Sequence, residues 1–233
     1  VQTNLSEGLR LERVYNSRIS SITIDGYTNH VVLAGAPQNK FYSIYTRNGK
    51  RGAELSESTW TLTDLAGSTC YGIELFGCEH HGGPDALRAF DLQAVDQLTV
   101  TGGHFNMSRK KVHVRPDGTG RQDAIYQVRF NGTYFDAGEA GTVNEEHLYI
   151  EATDPDVLGA STRIEGIYFN NCFFRGGTQG IKLATSAASV AGLQSLEDIA
   201  VSDCELQDIS GRTFEIVNTN LADPAAVIRS LSF

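Results

Sequence analysis

Two short segments alternate apolar residues with charged or aromatic ones, and their side chains could bind a saccharide. These segments are "KVHVR" and "HLYIE". Alternation with period two is typical of β-strands, whose successive side chains point to opposite faces, so we expect the polar members on one outward face. Aromatic rings beside hydrogen-bonding groups suit a sugar, which has an apolar face and a rim of hydroxyls. The outward set is Lys111, His113, Arg115, His147, Tyr149 and Glu151.

A third segment, "GIELF", has the same alternation and supplies a candidate catalytic carboxylate. It adds Glu74 to the outward set, two predicted turns from Glu151. At about 4.8 Å a turn, their separation falls near the upper end of the roughly 5 to 9.5 Å that glycosidic cleavage needs between two carboxyls. We therefore predict Glu74 and Glu151 as catalytic residues. The predicted substrate-binding residues are Phe76, His113, Arg115, Tyr149, Lys182 and Glu215.

The same outward residues also fit a purely structural role. Opposite charges that alternate across neighbouring strands can stabilise a sheet, or fit a neighbouring subunit, without binding any ligand. Both interpretations stay open at this level. No cofactor and no metal site are predicted, because His80 and His81 in "CEHHGGPD" match no strong zinc spacing and favour a hydrogen-bonded turn.

A repeated pattern specifies the elements that must position these residues. The stretches "IEGIYFNNCFF" and "LEDIAVSDCEL" share an apolar triplet, two small polar residues, a cysteine and a large apolar residue. Variable spacing between copies, with a fixed local pattern, indicates a constant core with loops of changing length. The triplets are Val95, Leu98 and Val100; Ile125, Val128 and Phe130; Ile164, Ile167 and Phe169; Leu196, Ile199 and Val201; and Ile228, Leu231 and Phe233.

Each copy predicts three short strands and one sharp corner. Two residues after the triplets stand Gly102, Gly132, Asn171 and Asp203, residue types that tolerate the left-handed conformation of a tight corner. A second short strand follows, and a third alternating segment lies further on, in "GIELF", "KVHVR", "HLYIE", "GIKLA" and "TFEIV". Three strands a turn with loops of free length describe an all-β fold, a parallel β-helix of about six or seven turns.

The repeat covers the chain as a single domain, residues 1–233, with one interruption. Residues 34–59, rich in Gly, Lys, Arg, Ser and Glu, indicate a long loop excursion. The pattern stops at Phe233 in the middle of a turn, where an unfinished apolar edge would be exposed. We therefore expect a fragment of a longer chain, truncated at both ends.

Composition argues against several classes of partner. The chain has 28 acidic against 19 basic residues and a net charge of −9, which disfavours general attraction to nucleic acid or to an anionic membrane. No run approaches the roughly 20 apolar residues that cross a bilayer, so no membrane insertion is predicted. Neutral or locally matched ligands stay open.

The four cysteines are too few for a disulfide scaffold. Cys172 and Cys204 occupy the same inward position one turn apart, where side chains stack in parallel without the crossed geometry that a disulfide prefers. We therefore predict free buried thiols, at these positions and at Cys70 and Cys78.

Several longer segments resemble a known superfamily. "GLRLERVYNSRISSITIDGY", "VRFNGTYF", "IEGIYFNNCFFRGGTQGIKLATS" and "LEDIAVSDCELQDISGRTFEIVNT" resemble the pectin-lyase-like right-handed β-helices. Within that group, "NNCFFRGGTQGIKL" is most similar to phage tailspike proteins and tail-associated depolymerases. The glycine- and aspartate-rich N-terminal segment usual in such proteins is absent. The resemblance implies an extracellular homotrimer of the virion that contacts other phage tail proteins and binds or cleaves a bacterial surface glycan.

Three functions stay open from the sequence. The first is a phage tailspike that recognises, and could depolymerise, a bacterial surface polysaccharide. The second is a free polysaccharide-active enzyme, a lyase, hydrolase or epimerase. A glycosidase is favoured over a lyase, because no outward aspartate cluster can be assembled to hold the Ca²⁺ of a β-helix lyase. The third is a structural β-helix stalk without a ligand.

Overall fold

The chain folds as a right-handed parallel β-helix in which each coil contains three strands. A computed structural model describes residues 7–27, 29–47, 58–63, 65, 68–116, 123–137, 146–152, 161–185, 193–218 and 226–232. Each strand pairs in parallel with its equivalent one coil away, at the spacing of about 4.8 Å that the repeat requires. These residues contain no helix, and so none that is long and apolar enough to span a membrane.

The first sheet contains eight strands and carries the apolar triplets. Its register pairs Val100 with Phe130, Phe130 with Phe169, and Phe169 with Val201, as the repeat predicts. Because the last of the eight strands only begins a coil, the described residues complete seven coils. The strands are β2 (Arg18–Ser20), β5 (Lys40–Tyr42), β8 (Cys70–Phe76), β10 (Val95–Thr101), β12 (Asp123–Asn131), β15 (Ser161–Asn170), β18 (Leu193–Ser202) and β21 (Ala226–Ser232).

Two long strands join the second and third sheets into one 13-stranded sheet. β9 (Glu79–Leu92) and β11 (His104–Val114) continue through the bend and pair in both parts. The other strands of the second sheet are β3 (Thr23–Asp25), β6 (Tyr45–Arg47), β13 (Tyr134–Asp136), β16 (Phe173–Arg175) and β19 (Glu205–Gln207). Those of the third sheet are β1 (Glu7–Glu12), β4 (Asn29–Ala34), β7 (Ser58–Thr63), β14 (Glu146–Ala152), β17 (Gln179–Thr185) and β20 (Arg212–Asn218).

Stacked apolar side chains fill the interior of the helix. The Phe130 and Phe169 rings stack at 4.8 Å, the Phe135 and Phe174 rings stack at 5.1 Å, and all four side chains are fully buried. Burying one such side chain stabilises the fold by about 1.5 to 3 kcal/mol, and an aromatic pair adds about 0.5 to 1.5 kcal/mol. The apolar face of each coil is therefore covered by the next coil.

Two columns of left-handed residues shape the first sheet. The predicted corner residues Gly102, Gly132, Asn171 and Asp203 have φ values of 65°, 61°, 51° and 53°, which confirms that prediction. A second column lies within the strands. Each of its members is one extra residue between the first two residues of an apolar triplet. Like the extra residue of a β-bulge, it allows both of those triplet residues to face the core. This column consists of Gly72, Gln97, Gln127, Gly166, Asp198 and Ser230.

The assignment of "GIELF" to a third strand is wrong. The segment belongs to β8 in the first sheet, where Leu75 pairs with Val100. The third strand of that coil is the later part of β9, which ends at Leu92. The number of residues from Leu62 to Leu75 is similar to the number that separates the first strand from the third strand in other coils. Leu62, however, lies on the third sheet and not on the first.

Residues 34–59 are not one loop excursion. β5 and β6 lie within them and form the first two strands of a coil, whose third strand is β7. The short apolar content of "FYSIY" is therefore core, with Phe41 and Ile44 almost fully buried. Residues 48–57 of this range lie outside the described residues.

Candidate functional site

The third sheet carries a continuous outward column of charged and aromatic side chains. Its register places His113 beside Tyr149, Tyr149 beside Lys182, and Lys182 beside Glu215. Asp91 of β9 pairs with His113 and so belongs to the same column. Sequence reasoning misses Asp91 because its strand follows the "CEHHGGPD" segment, which hides the alternation.

Asp91 and Arg115 form an ion pair at one end of the column. The Arg115 guanidinium donates two hydrogen bonds of 2.8 Å, from Nε to Oδ1 and from a terminal nitrogen to Oδ2. The Asp91 side chain is only 3% exposed, and a terminal nitrogen of Arg88 lies 3.7 Å from its Oδ2. Burial alone would raise the pKa of Asp91, but hydrogen bonding to Arg115 and the two positive charges lower it below its ordinary value.

His113 lies between an arginine and a glutamate. Arg88 Nε donates a hydrogen bond to His113 Nδ1 at 3.0 Å, so the neutral ring carries its proton on Nε2, which lies 3.5 Å from a Glu151 carboxylate oxygen. Burial lowers the pKa of His113, and Glu151 offsets only part of that effect. Hydrogen bonding to His113 in turn lowers the pKa of Glu151. The structure therefore brings the predicted residues His113 and Glu151 together.

Tyr149 packs against His113 and lies between two lysines. The two rings stack with centroids 4.9 Å apart and an interplanar angle of 16°. Lys110 Nζ and Lys182 Nζ lie 5.5 Å and 5.1 Å from the Tyr149 ring centroid, and Glu146 bridges both lysines at 3.4 Å and 3.7 Å. Burial raises the pKa of Tyr149 well above its ordinary range. Protein groups on both sides leave little of the ring for a sugar to stack on.

The third-sheet column has the properties of a structural network. His113 is 5% exposed and Asp91 is 2% exposed, so a ligand cannot reach either residue without displacing protein. At its other end the column carries an ion pair between Lys182 and Glu215, whose Nζ and Oε2 atoms are 3.8 Å apart. This arrangement favours the structural interpretation of the column. Ligand binding by its individual members stays a prediction.

Glu74 and Phe76 lie on the first sheet and not on the third sheet with the other predicted site residues. Lys40 Nζ donates a hydrogen bond of 3.0 Å to the Glu74 carboxylate from the preceding coil. Phe76 stacks on Tyr42 with ring centroids 5.0 Å apart. The predicted placement of Glu74 and Glu151 on one face is therefore wrong, because the two carboxylates lie on different sheets.

Glu74 lines an open cleft on the outer face of the first sheet. The cleft has a volume of about 230 Å³ and receives residues from three successive coils. Gly72, Gln97 and Gln127 belong to the left-handed column. The full lining is Gly72, Ile73, Glu74, Gln97, Thr99, Gln127 and Arg129.

Tyrosines lie in the columns next to the cleft. Tyr71 is 40% exposed, and Tyr126 stands two coils further along the same column. Tyr168 pairs with Arg129, whose guanidinium carbon lies 5.4 Å from the Tyr168 ring centroid.

The sequence signal for this site is the pair of variable positions inside each apolar triplet. That signal marks the left-handed column, but not the cleft that opens beside it.

A group of polar side chains is buried at the bend between the second and third sheets. His80 lies in β9 and not in the predicted turn, and its two ring nitrogens are hydrogen-bonded to Thr46 and Thr59, each at 2.9 Å. Lys111 and His147 are fully buried, although strict alternation predicts them outward. Burial lowers the pKa of Lys111 to about 7 and that of His147 to about 4. The described part of the chain contains no cluster of His, Cys, Asp and Glu suited to a metal ion.

Comparisons with known proteins give one structural likeness. No protein-family model and no curated protein matches the chain. Among solved structures, the chain is similar to the catalytic domain of a GH87 alpha-1,3-glucanase in complex with tetrasaccharides, at 12% sequence identity and a TM-score of 0.28. The match covers 97% of this chain and 59% of that chain, so this chain spans less than two thirds of the glucanase structure.

Proposed function

We propose that this β-helix binds a linear surface polysaccharide in the first-sheet cleft, as a receptor-binding protein of the phage tailspike type. The observation that carries the proposal is the cleft itself, with polar lining from Gln97, Thr99, Gln127 and Arg129. Amide, hydroxyl and guanidinium groups supply the hydrogen bonds that sugar hydroxyls require. An open groove that crosses three coils suits a chain ligand better than a compact one.

The composition of the cleft favours binding over cleavage. Among the lining residues Glu74 is the one carboxylate, and Lys40 Nζ lies 2.9 Å from its Oε1. Glycoside hydrolysis normally uses two carboxyls, one of them protonated. Depolymerase activity through Glu74 stays a prediction. Loss of cleavage with retained binding in Glu74→Gln would support it, because an amide keeps the shape of the side chain but cannot transfer a proton.

The tailspike assignment is supported by the sequence resemblance alone. The same holds for the homotrimer, the virion location and the contacts with other phage tail proteins. Light scattering of the purified chain at micromolar concentration tests the assembly. A trimer that binds glycan fits the tailspike, a monomer that cleaves glycan fits a free polysaccharide-active enzyme, and a folded chain without glycan affinity fits a stalk.

A glycan array followed by titration of a bound fragment tests the proposed site. Gln97→Ala and Gln127→Ala should each weaken binding about two- to tenfold, because one hydrogen bond contributes about 0.5 to 1.5 kcal/mol. Tyr149→Ala is the matched control, since it removes a third-sheet ring and should lower thermal stability without changing affinity. Lost affinity in this control, with both cleft variants unaffected, would overturn the proposed site.

A further inference from the structure

Building on the proposed function, we propose that the cleft selects an acidic saccharide whose carboxylate pairs with Arg129. Two other cations on the first sheet have acidic partners. Lys40 Nζ lies 2.9 Å from Glu74, and a terminal nitrogen of Arg163 lies 2.6 Å from Glu165. Arg129 forms no such ion pair with any side chain in the part of the chain that the structure describes. Among the described residues, it is therefore a cation in the cleft whose charge no direct ion pair neutralises.

Three acidic side chains on this sheet already have partners of their own. The Tyr168 hydroxyl donates a hydrogen bond to Asp198, while Glu165 and Glu74 hold the pairs already described. The net charge of −9 opposes binding of polyanions in general, so recognition of an acidic ligand must come from a local contact. Arg129 provides that contact.

Arg129 is also presented in a form that suits a carboxylate. Its side chain is exposed, so a ligand can reach it. The guanidinium carbon lies 5.4 Å from the Tyr168 ring centroid, a cation–π contact that restricts the orientation of the side chain. A planar guanidinium offers paired N–H donors that match the two oxygens of a carboxylate, which a lysine ammonium cannot do.

Three neutral lining groups match the rest of such a sugar, and the one lining carboxylate, Glu74, is paired with Lys40. Gln97, Gln127 and Thr99 are uncharged and can both donate and accept hydrogen bonds. One guanidinium beside several neutral hydrogen-bonding groups corresponds to one carboxylate beside several hydroxyls, which is the pattern of a hexuronic acid. A neutral hexose would leave the guanidinium without an ionic partner.

Calorimetry on paired ligands tests this inference. Oligomers of glucuronate, galacturonate and mannuronate are each compared with their carboxyl-reduced, neutral forms. We expect at least one acidic oligomer to bind about tenfold or more tightly than its neutral form. Arg129→Gln should abolish that preference, and Arg129→Lys should restore only part of it. Arg163→Gln removes an already paired guanidinium of the same sheet and should keep the preference, and circular dichroism verifies that each variant is folded.

The outcomes separate this inference from the proposed function. Equal binding of acidic and neutral forms, or a preference that survives in Arg129→Gln, overturns the role of Arg129 while binding in the cleft stands. If the folded wild-type chain binds neither form of any oligomer at millimolar concentration, the acidic ligand is rejected. In that case the glycan array of neutral polysaccharides decides separately whether the proposed function survives.

Discussion

Arg115 and Asp91 lie on neighbouring coils of the third sheet and are joined by two hydrogen bonds of 2.8 Å. Because Asp91 is almost wholly buried, Arg115→Gln should leave its charge undercompensated and lower the free energy of unfolding by about 3 kcal/mol. Urea denaturation measures the loss. Arg163→Gln, which breaks an exposed pair, should cost less than about 1 kcal/mol. Equal losses in the two variants would contradict the structural role of the buried pair.

The same pair predicts a sensitivity to acid. The folded-state pKa of Asp91 lies below its unfolded value, which is about 4. Its stabilising contribution is therefore complete above about pH 4 and is lost as the pH falls through the folded pKa. Asp91→Asn should flatten this part of the stability profile. If stability falls with decreasing pH in Asp91→Asn as it does in the wild-type chain, the carboxylate is not stabilised in the folded chain.

Buried Lys111 should make the chain more stable as the pH rises from 7 to 8.5. Its folded pKa of about 7 lies below the ordinary value of 10.5, so in this window the unfolded chain binds more protons than the folded chain. The gain is at most about 1.4 kcal/mol per pH unit. Lys111→Met should remove this slope in denaturation profiles, whereas the partly exposed Lys182→Met should keep it. A slope that persists in Lys111→Met would contradict the assignment.

Two adjacent glycines at one corner should respond very differently to substitution. A Cβ on Gly103 would lie 2.2 Å from the Cys78 carbonyl oxygen, and the residue has a φ of +90°. Gly102 has a φ of +65° and open space around the same position. Gly102→Ala should therefore cost only the left-handed backbone strain, about 1 to 2 kcal/mol, whereas Gly103→Ala adds a backbone clash. Thermal unfolding compares them, and similar melting temperatures would contradict the corner geometry.

The cysteines should titrate as four thiols. All four are free in the structure, and the Cys172 backbone N–H donates to Cys204 Sγ at 3.3 Å from one coil to the next. Cys204 is partly exposed, contrary to the expectation that it is buried, because among the described residues only β21 lies beyond its coil. A thiol assay on denatured protein prepared without oxidation should count four. A count of two would show a disulfide that parallel stacking disfavours.

The sequence predicts the fold well because the repeat is set by the core. Val100, Phe130, Phe169 and Val201 keep one register, and every coil must cover the apolar face of its neighbour. The assignment of "GIELF" fails because alternation gives the face of a strand but not the sheet to which the strand belongs. Only the pairing register separates these possibilities.

The candidate site is predicted less completely, for two physical reasons. Lys111 and His147 face inward at an irregular bend, where strict alternation no longer applies. The cleft beside Arg129 depends on left-handed residues within three strands, whose conformation local sequence does not specify when the residue is glutamine. By contrast, His113 and Tyr149, whose rings stack, lie in regular strands, where alternation correctly predicts that both side chains point outward.

Hydroxyl-radical footprinting with and without a bound polysaccharide tests most directly where the ligand lies. Radical labelling reports the accessibility of aromatic rings, and the two candidate faces each carry tyrosines. If the first-sheet cleft is the site, the polysaccharide should protect Tyr71, which is 40% exposed, and leave the labelling of Tyr149 unchanged. Protection of Tyr149 with undiminished labelling of Tyr71 would contradict the account and place the site on the third sheet.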